Sequence, residues 1–266
     1  MKFSFVSLFT KLTLATSVAG VLIGCDDPEY DTPKPETTTT LSSARVLVVN
    51  ASPGSQAATI TVDNASVNQT VSYLSSPSTG YLQVPVGLRQ VGVVVPNNVK
   101  DASGNVLPGV VRQQFAAGSS YTVFSTDAPT RAGSGTDLGG VRAIVLNDNL
   151  AAPAANKAKI RFVNLSSSGT YGIFNSVTQA SLFSAVPTRA YRLTNNGTTA
   201  TSTNYANFTE VDAGSYTVDV RSAATTPLAG TGQALTFTAG KIYTLYVRGV
   251  AGSTTTPLGV STVLHN

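Results

Sequence analysis

Residue types that often carry chemistry are scarce in this chain of 266 residues, which has one cysteine, one histidine and no tryptophan. A single cysteine cannot form an intramolecular disulfide, and too few Cys and His residues are present to build a structural zinc site. A hydrolytic triad needs a base. The only histidine, His265, is expected to be a strand-end or tail residue, where an imidazole is poorly held for catalysis.

Charge is also scarce: charged residues make up 11% of the chain, against about 25% in ordinary soluble domains. Threonine, serine, asparagine and glycine supply the polarity, while 42% of residues are apolar, enough to fill a core and unlike a disordered chain. Basic residues are scattered, and without Lys2 and Lys11 the net charge falls from +4 to +2. A nucleic-acid partner is therefore not expected.

The first 24 residues have the layout of a secretory signal peptide, with Lys2 and Lys11 preceding an uncharged apolar run. This run is shorter than the roughly 20 residues that a membrane-spanning helix needs. It ends at Leu22, Ile23, Gly24 and Cys25, which together resemble the lipobox of bacterial lipoproteins. The resemblance implies cleavage before Cys25 and a lipid on its thiol. The membrane is then a partner, because two or more acyl chains anchor a protein stably.

Residues 25–43 are predicted to form an acidic, Pro/Thr-rich tether, since Pro28, Pro33 and Pro35 interrupt any strand and no apolar periodicity is present. The signal and tether predict an exported protein on the bacterial outer membrane. Asp26 and Asp27 directly after the cysteine resemble surface-export signals in some bacteria, whereas in others an Asp at that place resembles a signal that keeps a lipoprotein on the inner membrane. The surface and periplasmic faces therefore both stay open.

Four segments recur in the same order after residue 43, which indicates an internal repeat. Residues 44–52 return as 158–166, 81–87 as 208–214, 115–124 as 237–246 and 145–148 as 263–266. The offsets are 114, 127, 122 and 118 residues. We expect two domains, 44–150 and 157–266, each with its own core, joined by a seam too short for independent movement.

Within each copy the apolar residues alternate with polar ones. Tyr216, Val218 and Val220 alternate with Ser215, Thr217 and Asp219, which predicts a strand with one buried and one wet face. Glycines at 87, 118, 214 and 240 fall where strands must turn. No helical stripe follows residue 24, so the fold class predicted is all-β, as two tandem immunoglobulin-like antiparallel β-sandwich domains.

The strings at residues 45–53, 80–87 and 117–124 resemble the bacterial family called domain of unknown function 4397. The resemblance extends to both copies and is better in the first, because Asn164 to Ser168 depart from the Asn-Ala-Ser-Pro pattern. It implies an exported, often lipid-anchored β-sandwich protein, and it brings no catalytic residues and no cofactor.

Other candidate sites have simpler structural explanations. Asp63-Asn64 and Asn147-Asp148-Asn149 could supply oxygen ligands to calcium but also favour tight turns, and no bound metal is expected. Glu210 and Asp212 could face one side of a strand, although a solvated edge is favoured. Six tyrosines could form a sugar platform, although such residues more often pack in a core: Tyr73, Tyr81, Tyr171, Tyr191, Tyr205 and Tyr246.

These observations favour a non-enzymatic cell-envelope lipoprotein whose tandem sandwiches act as a spacer or interaction module. The first alternative is a surface adhesin for carbohydrate or protein, and a distant alternative is a hydrolase. A glycan or an envelope protein is the partner expected beyond the membrane. The sequence does not identify the ligand.

Overall fold

The computed structural model describes residues 42–194, 204–205, 207–223, 226–228 and 230–265. These residues form fifteen β-strands and no helix. Consequently no helix capable of crossing a membrane occurs among them. The signal peptide and most of the tether predicted for residues 1–43 lie outside the described residues.

The first sandwich contains eight strands in two sheets. They are β1 Ser43–Asn50, β2 Ala58–Val62, β3 Ala65–Val71, β4 Leu82–Pro85, β5 Gly87–Val94, β6 Gly109–Phe115, β7 Ser120–Thr126 and β8 Arg142–Asp148. One sheet has the order β4-β1-β7-β8 and the other the order β3-β2-β5-β6. Val46, Val48, Ile60, Val91 and Val123 meet between the sheets in a closed apolar core.

The second sandwich contains seven strands. They are β9 Lys157–Asn164, β10 Gly172–Asn175, β11 Thr209–Asp212, β12 Gly214–Arg221, β13 Gln233–Phe237, β14 Ile242–Arg248 and β15 Gly259–Leu264. Their sheets have the orders β11-β9-β14-β15 and β10-β12-β13. Ile160, Phe162, Val218, Val220 and Leu245 form its core. The predicted all-β architecture of tandem sandwiches is confirmed.

Sheet order and register relate the two sandwiches strand by strand. The order β4-β1-β7-β8 recurs as β11-β9-β14-β15, and Ser43 faces Pro85 as Lys157 faces Asp212. The last match is shifted by one residue: Asp148 faces Ser120, and continuing the β14–β15 register past Tyr243–Leu264 brings His265 opposite Ile242. His265, rather than Asn266, is therefore the counterpart of Asp148.

One strand pair in each sandwich departs from the antiparallel arrangement. β1 runs parallel to β7, and β9 runs parallel to β14. A two-residue hairpin forces neighbouring strands to be antiparallel, whereas strands joined by a long connection can run either way. Since five strands of the first sandwich separate β1 from β7 along the chain, the local pattern did not determine their direction.

The repeated Asn-x-Ser segment has a structural role at the end of the first strand of each copy. The side-chain oxygen of Asn50 accepts the Ser52 amide at 3.2 Å, and that of Asn164 accepts the Ser166 amide at 3.0 Å. Ser166 Oγ then donates to the carbonyl of Gly249 at 2.7 Å. These buried bonds satisfy backbone groups where the chain leaves the sheet.

Strand β12 differs from the expected alternation. Val218 and Val220 are buried as predicted, but Asp219 and Arg221 on the opposite face are buried too. Arg221 Nε donates to Asp219 Oδ1 at 2.5 Å, and Ser176 Oγ donates to Asp219 Oδ2 at 2.8 Å. This mutual pairing allows both charged side chains to leave water.

Candidate functional site

A third apolar cluster lies between the two sandwiches and joins them. We call the sheet β4-β1-β7-β8 and the sheet β11-β9-β14-β15 the contact sheets, because their outward faces supply this cluster. Leu47 and Val49 alternate along β1 with the core residues Val46 and Val48. The rings of Phe124 and Tyr246, which are counterparts in the repeat, meet with centroids 5.3 Å apart.

A polar network lies in the same contact and is centred on Arg161 of β9, which is 1% exposed. Its guanidinium forms an ion pair with Asp148 of the first sandwich at 2.5 Å. Nη1 donates to the Asn147 carbonyl at 2.8 Å, and the ring of Phe208 lies 4.5 Å below the guanidinium carbon. Burial lowers the pKa of Arg161, and the Asp148 carboxylate opposes that shift. The charge therefore links the two sandwiches.

His265 directly follows β15, at the strand end that the sequence predicted, and it is a buried member of this network rather than a frayed terminal residue. Nε2 lies 2.7 Å from Thr244 Oγ1, and Nδ1 lies 2.7 Å from the Tyr81 hydroxyl. Its ring also meets the edge of Phe208 at a centroid distance of 5.6 Å. Burial lowers the pKa of His265 to about 4. The imidazole is therefore neutral at pH 7 and enclosed by protein.

The hydrogen bonds assign the proton of His265 to Nδ1. Arg161 Nε donates to Thr244 Oγ1 at 2.7 Å, so the single Thr244 hydroxyl proton is available for His265 Nε2. Nδ1 then donates to the Tyr81 oxygen, and Tyr81 donates to Asp148 Oδ2 at 2.7 Å. Arg161 closes the ring at Asp148 Oδ1, so every donor meets an acceptor. Burial, with Asp148 next in importance, raises the pKa of Tyr81.

The network is enclosed between the contact sheets and joins them. Asp148, Arg161 and His265 all have side chains with no exposed surface. A ligand would have to separate the contact sheets to reach them. Further polar bonds cross the contact, from Thr126 Oγ1 to the Leu165 carbonyl at 2.8 Å and from Arg192 Nη2 to the Ala143 carbonyl at 3.0 Å.

The alignment of the two copies contains one feature that predicts a buried polar network. The alignment of residues 44–52 with 158–166 places Arg161 opposite Leu47. A basic residue replaces an apolar one in the middle of a strand, near the start of its fully buried stretch from Ile160 to Asn164. Such a residue needs a partner from outside its own sandwich when the strand faces an interface.

The candidate calcium ligands are engaged elsewhere. Asp63 and Asn64 have φ of 49° and 67°, as in the two-residue type I′ turn of a hairpin. Asp63 Oδ1 accepts the Gln90 amide at 2.9 Å. Asp148 belongs to the buried network. No group of three or more His, Cys, Asp or Glu side chains suited to a metal occurs in the part of the chain that the structure describes.

The other candidate residues from the sequence have structural roles. Asp212 is paired with Lys157 at 2.6 Å, and Glu210 accepts the Ala154 amide at 3.0 Å, both at the solvent-exposed edge of β11. Tyr171, Tyr205 and Tyr246 are buried, so these tyrosines do not form an exposed sugar platform. Leu22, Ile23, Gly24 and Cys25 lie outside the described residues.

Residues 44–170 match a family described as "Domain of unknown function (DUF4397)". The match covers the first sandwich and continues through β9. No curated protein matches the chain.

Solved structures with similarity include a protein provisionally assigned to cell adhesion from Parabacteroides distasonis, with 11% identity over 85% of this chain and 99% of that chain and a TM-score of 0.18. A second, with the same provisional assignment, comes from Bacteroides uniformis; its identity is 11% over 86% and 99% of the two chains, and its TM-score is 0.18. Similarity at this level carries no inference about structure or function.

Proposed function

We propose that this chain is a non-enzymatic lipoprotein of the bacterial outer membrane whose two β-sandwich domains, 44–150 and 157–266, act as one rigid spacer or interaction module. The lipid on Cys25 anchors it, the acidic tether spans residues 25–43, and the sandwiches present their outer surfaces to an envelope protein or glycan. The match of residues 44–170 to DUF4397 supports the sandwich part of this proposal, whereas the anchor rests on the lipobox-like residues 22–25.

The buried contact between the sandwiches is the observation that carries this proposal. Tandem domains that move independently are joined only by a linker. These two sandwiches also share an apolar cluster and an enclosed Arg161–Asp148 ion pair. Opening the contact would expose the apolar surface and leave the network without partners, which is costly. A rigid pair transmits position and force over its whole length, as a spacer or a presenting module requires.

A non-catalytic role is supported by where the titratable groups lie. The only imidazole is enclosed between the contact sheets, and Arg161 and Asp148 neutralise each other there. Asp219 and Arg221 form another buried pair within the second sandwich. These groups contribute to packing, which leaves recognition to the outer surfaces of the module.

The anchor is tested by replacing Cys25 with alanine in the bacterium that makes the protein. We expect the Cys25→Ala variant to lose incorporation of labelled fatty acid and to accumulate with an altered N-terminus. The Ser17→Ala variant is the matched control, because it changes the leader but leaves residues 22–25 intact. Fatty-acid labelling of the Cys25→Ala chain at the level of the control would contradict the lipoprotein assignment.

A further inference from the structure

Arg189 is a buried cation that has no carboxylate partner among the described residues. It is 6% exposed, and no Asp or Glu among the described residues lies within ion-pair distance of its guanidinium. The segment 195–203, which is not described, contains no charged residue. Nη1 donates to the Phe162 carbonyl, while Nε has no hydrogen-bond partner within the described ranges. An unpaired buried charge is expensive, so it calls for a compensating group.

Aromatic rings hold the guanidinium in place. Its central carbon lies 5.0 Å from the ring centroids of Phe162 and Phe183 and 4.2 Å from that of Tyr205. The backbone of Arg189 is fixed by reciprocal hydrogen bonds with Tyr171, at 2.8 and 3.1 Å. Burial lowers the pKa of Arg189 to about 10, which leaves the side chain charged at neutral pH. Position and charge are therefore both set before any ligand arrives.

A cavity of about 270 Å³ opens beside this side chain. Phe183 and Phe208 supply apolar walls, while the exposed residues Ser184, Asn207 and Thr209 supply polar groups near the entrance. Arg189 is the only charged residue among the described residues that line it. A small, partly aromatic cavity with a few placed polar groups is the usual form of a small-molecule site.

We propose that this cavity binds a small organic monoanion through a carboxylate that pairs with Arg189. One cation without a second basic group matches a single negative charge, and a guanidinium fork matches the two oxygens of a carboxylate. The aromatic walls suit the face of a sugar ring or a short carbon skeleton. The site goes beyond the proposed spacer role and does not depend on the lipid anchor.

Isothermal titration of the purified full chain at constant ionic strength tests this site. The probes are D-glucuronate, D-glucose, which lacks the carboxylate, and inorganic phosphate. We expect D-glucuronate to bind and D-glucose and phosphate to show no measurable heat. Loss of one charge-assisted contact predicts at least a roughly 10-fold weaker affinity in Arg189→Met. Arg112→Met removes the same charge from an exposed site and should bind like the parent.

A second variant separates binding from folding, because Arg189 also contacts the Phe162 carbonyl. Ala185 lies exposed on the cavity wall, so Ala185→Trp should fill the cavity without disturbing the core. We expect it to keep the parent melting temperature and to lose D-glucuronate binding. Failure of D-glucuronate to bind the parent, binding unchanged in Ala185→Trp, or tighter binding of phosphate or glucose than of D-glucuronate would overturn the proposal.

Discussion

At the scale of single residues, the contact between the sandwiches depends on the protonation of His265. In the neutral form, Nε2 accepts from Thr244 and Nδ1 donates to Tyr81. Adding a proton to Nε2 would give Thr244 Oγ1 two incoming donors, from His265 and Arg161, and would deprive its own proton of an acceptor. It would also place a second positive charge near Arg161, where neither side chain has exposed surface.

Acid should therefore weaken the fold in a defined pH window. The folded pKa of His265, about 4, lies below the ordinary value of 6.5, so the unfolded chain binds the proton more readily. The stability linked to this residue is fully present above pH 6.5 and is lost as the pH falls towards 4. The size of the shift corresponds to about 3 kcal/mol of unfolding free energy.

Urea unfolding measured at several pH values checks this prediction against His265→Gln, which cannot titrate. The parent should lose stability between pH 6.5 and 4, and the variant should show a much flatter profile there. Pairing with Arg221 lowers the pKa of Asp219 from its ordinary value of 3.8. The stability that Asp219 contributes is therefore lost only as the pH falls below that value. Parallel profiles for parent and variant between pH 6.5 and 4 would argue against a buried neutral imidazole.

At the scale of strands, the sequence predicted the features that depend on neighbouring residues, namely the alternation of side chains and the positions of turns. The alternation in β2 buries Ile60 between the less buried Thr59 and Thr61, and Gly118 and Gly240 adopt the positive φ of 70° and 80° that their turns require. Period-two patterns do not reveal which strands pair over long separations, so the parallel β1–β7 pair was missed. They also do not reveal what covers an outward face.

The contact sheets show why the pattern of a strand does not reveal what covers its outward face. Leu47 and Val49 lie on the face of β1 that a lone sandwich would leave in water, yet the second sandwich buries them. Arg161 lies on the corresponding face of β9, where the period-two pattern within the strand suggests a solvated side chain. Its carboxylate partner is only 13 residues away in the chain but belongs to the other sandwich. Only the three-dimensional contact brings these groups together.

Replacing Arg161 with leucine, the residue of the first copy, should weaken the protein strongly. The Arg161→Leu variant leaves the Asp148 carboxylate buried without its cation, a loss of about 3–5 kcal/mol in unfolding free energy. Adding Asp148→Asn should recover part of this loss, because the orphaned charge is removed. The exposed Arg112→Leu change should remain within about 0.5 kcal/mol of the parent.

Chemical denaturation of these four proteins, the parent included, provides the comparison. Equal effects of Arg161→Leu and Arg112→Leu would show that the ion pair does not hold the sheets together. A double variant no more stable than Arg161→Leu would show that the unpaired carboxylate is not the source of the loss.

At the scale of the whole molecule, four sheets alternate with three apolar layers. Each sandwich has its own core, and the third layer lies between the contact sheets. Residues 41–266 accordingly form one compact unit. We propose that the two sandwiches move as a single body, which distinguishes a rigid module from two domains on a flexible linker.

Distance measurement by pulsed electron spin resonance tests that claim most directly. Leu88 in the first sandwich and Val177 in the second are 66% and 79% exposed, so Leu88→Cys and Val177→Cys can carry spin labels in a Cys25→Ser background. We predict one narrow distance distribution at neutral pH, matching the separation in the structure once label geometry is included. A broad distribution, or several separate distances, would contradict the rigid pair.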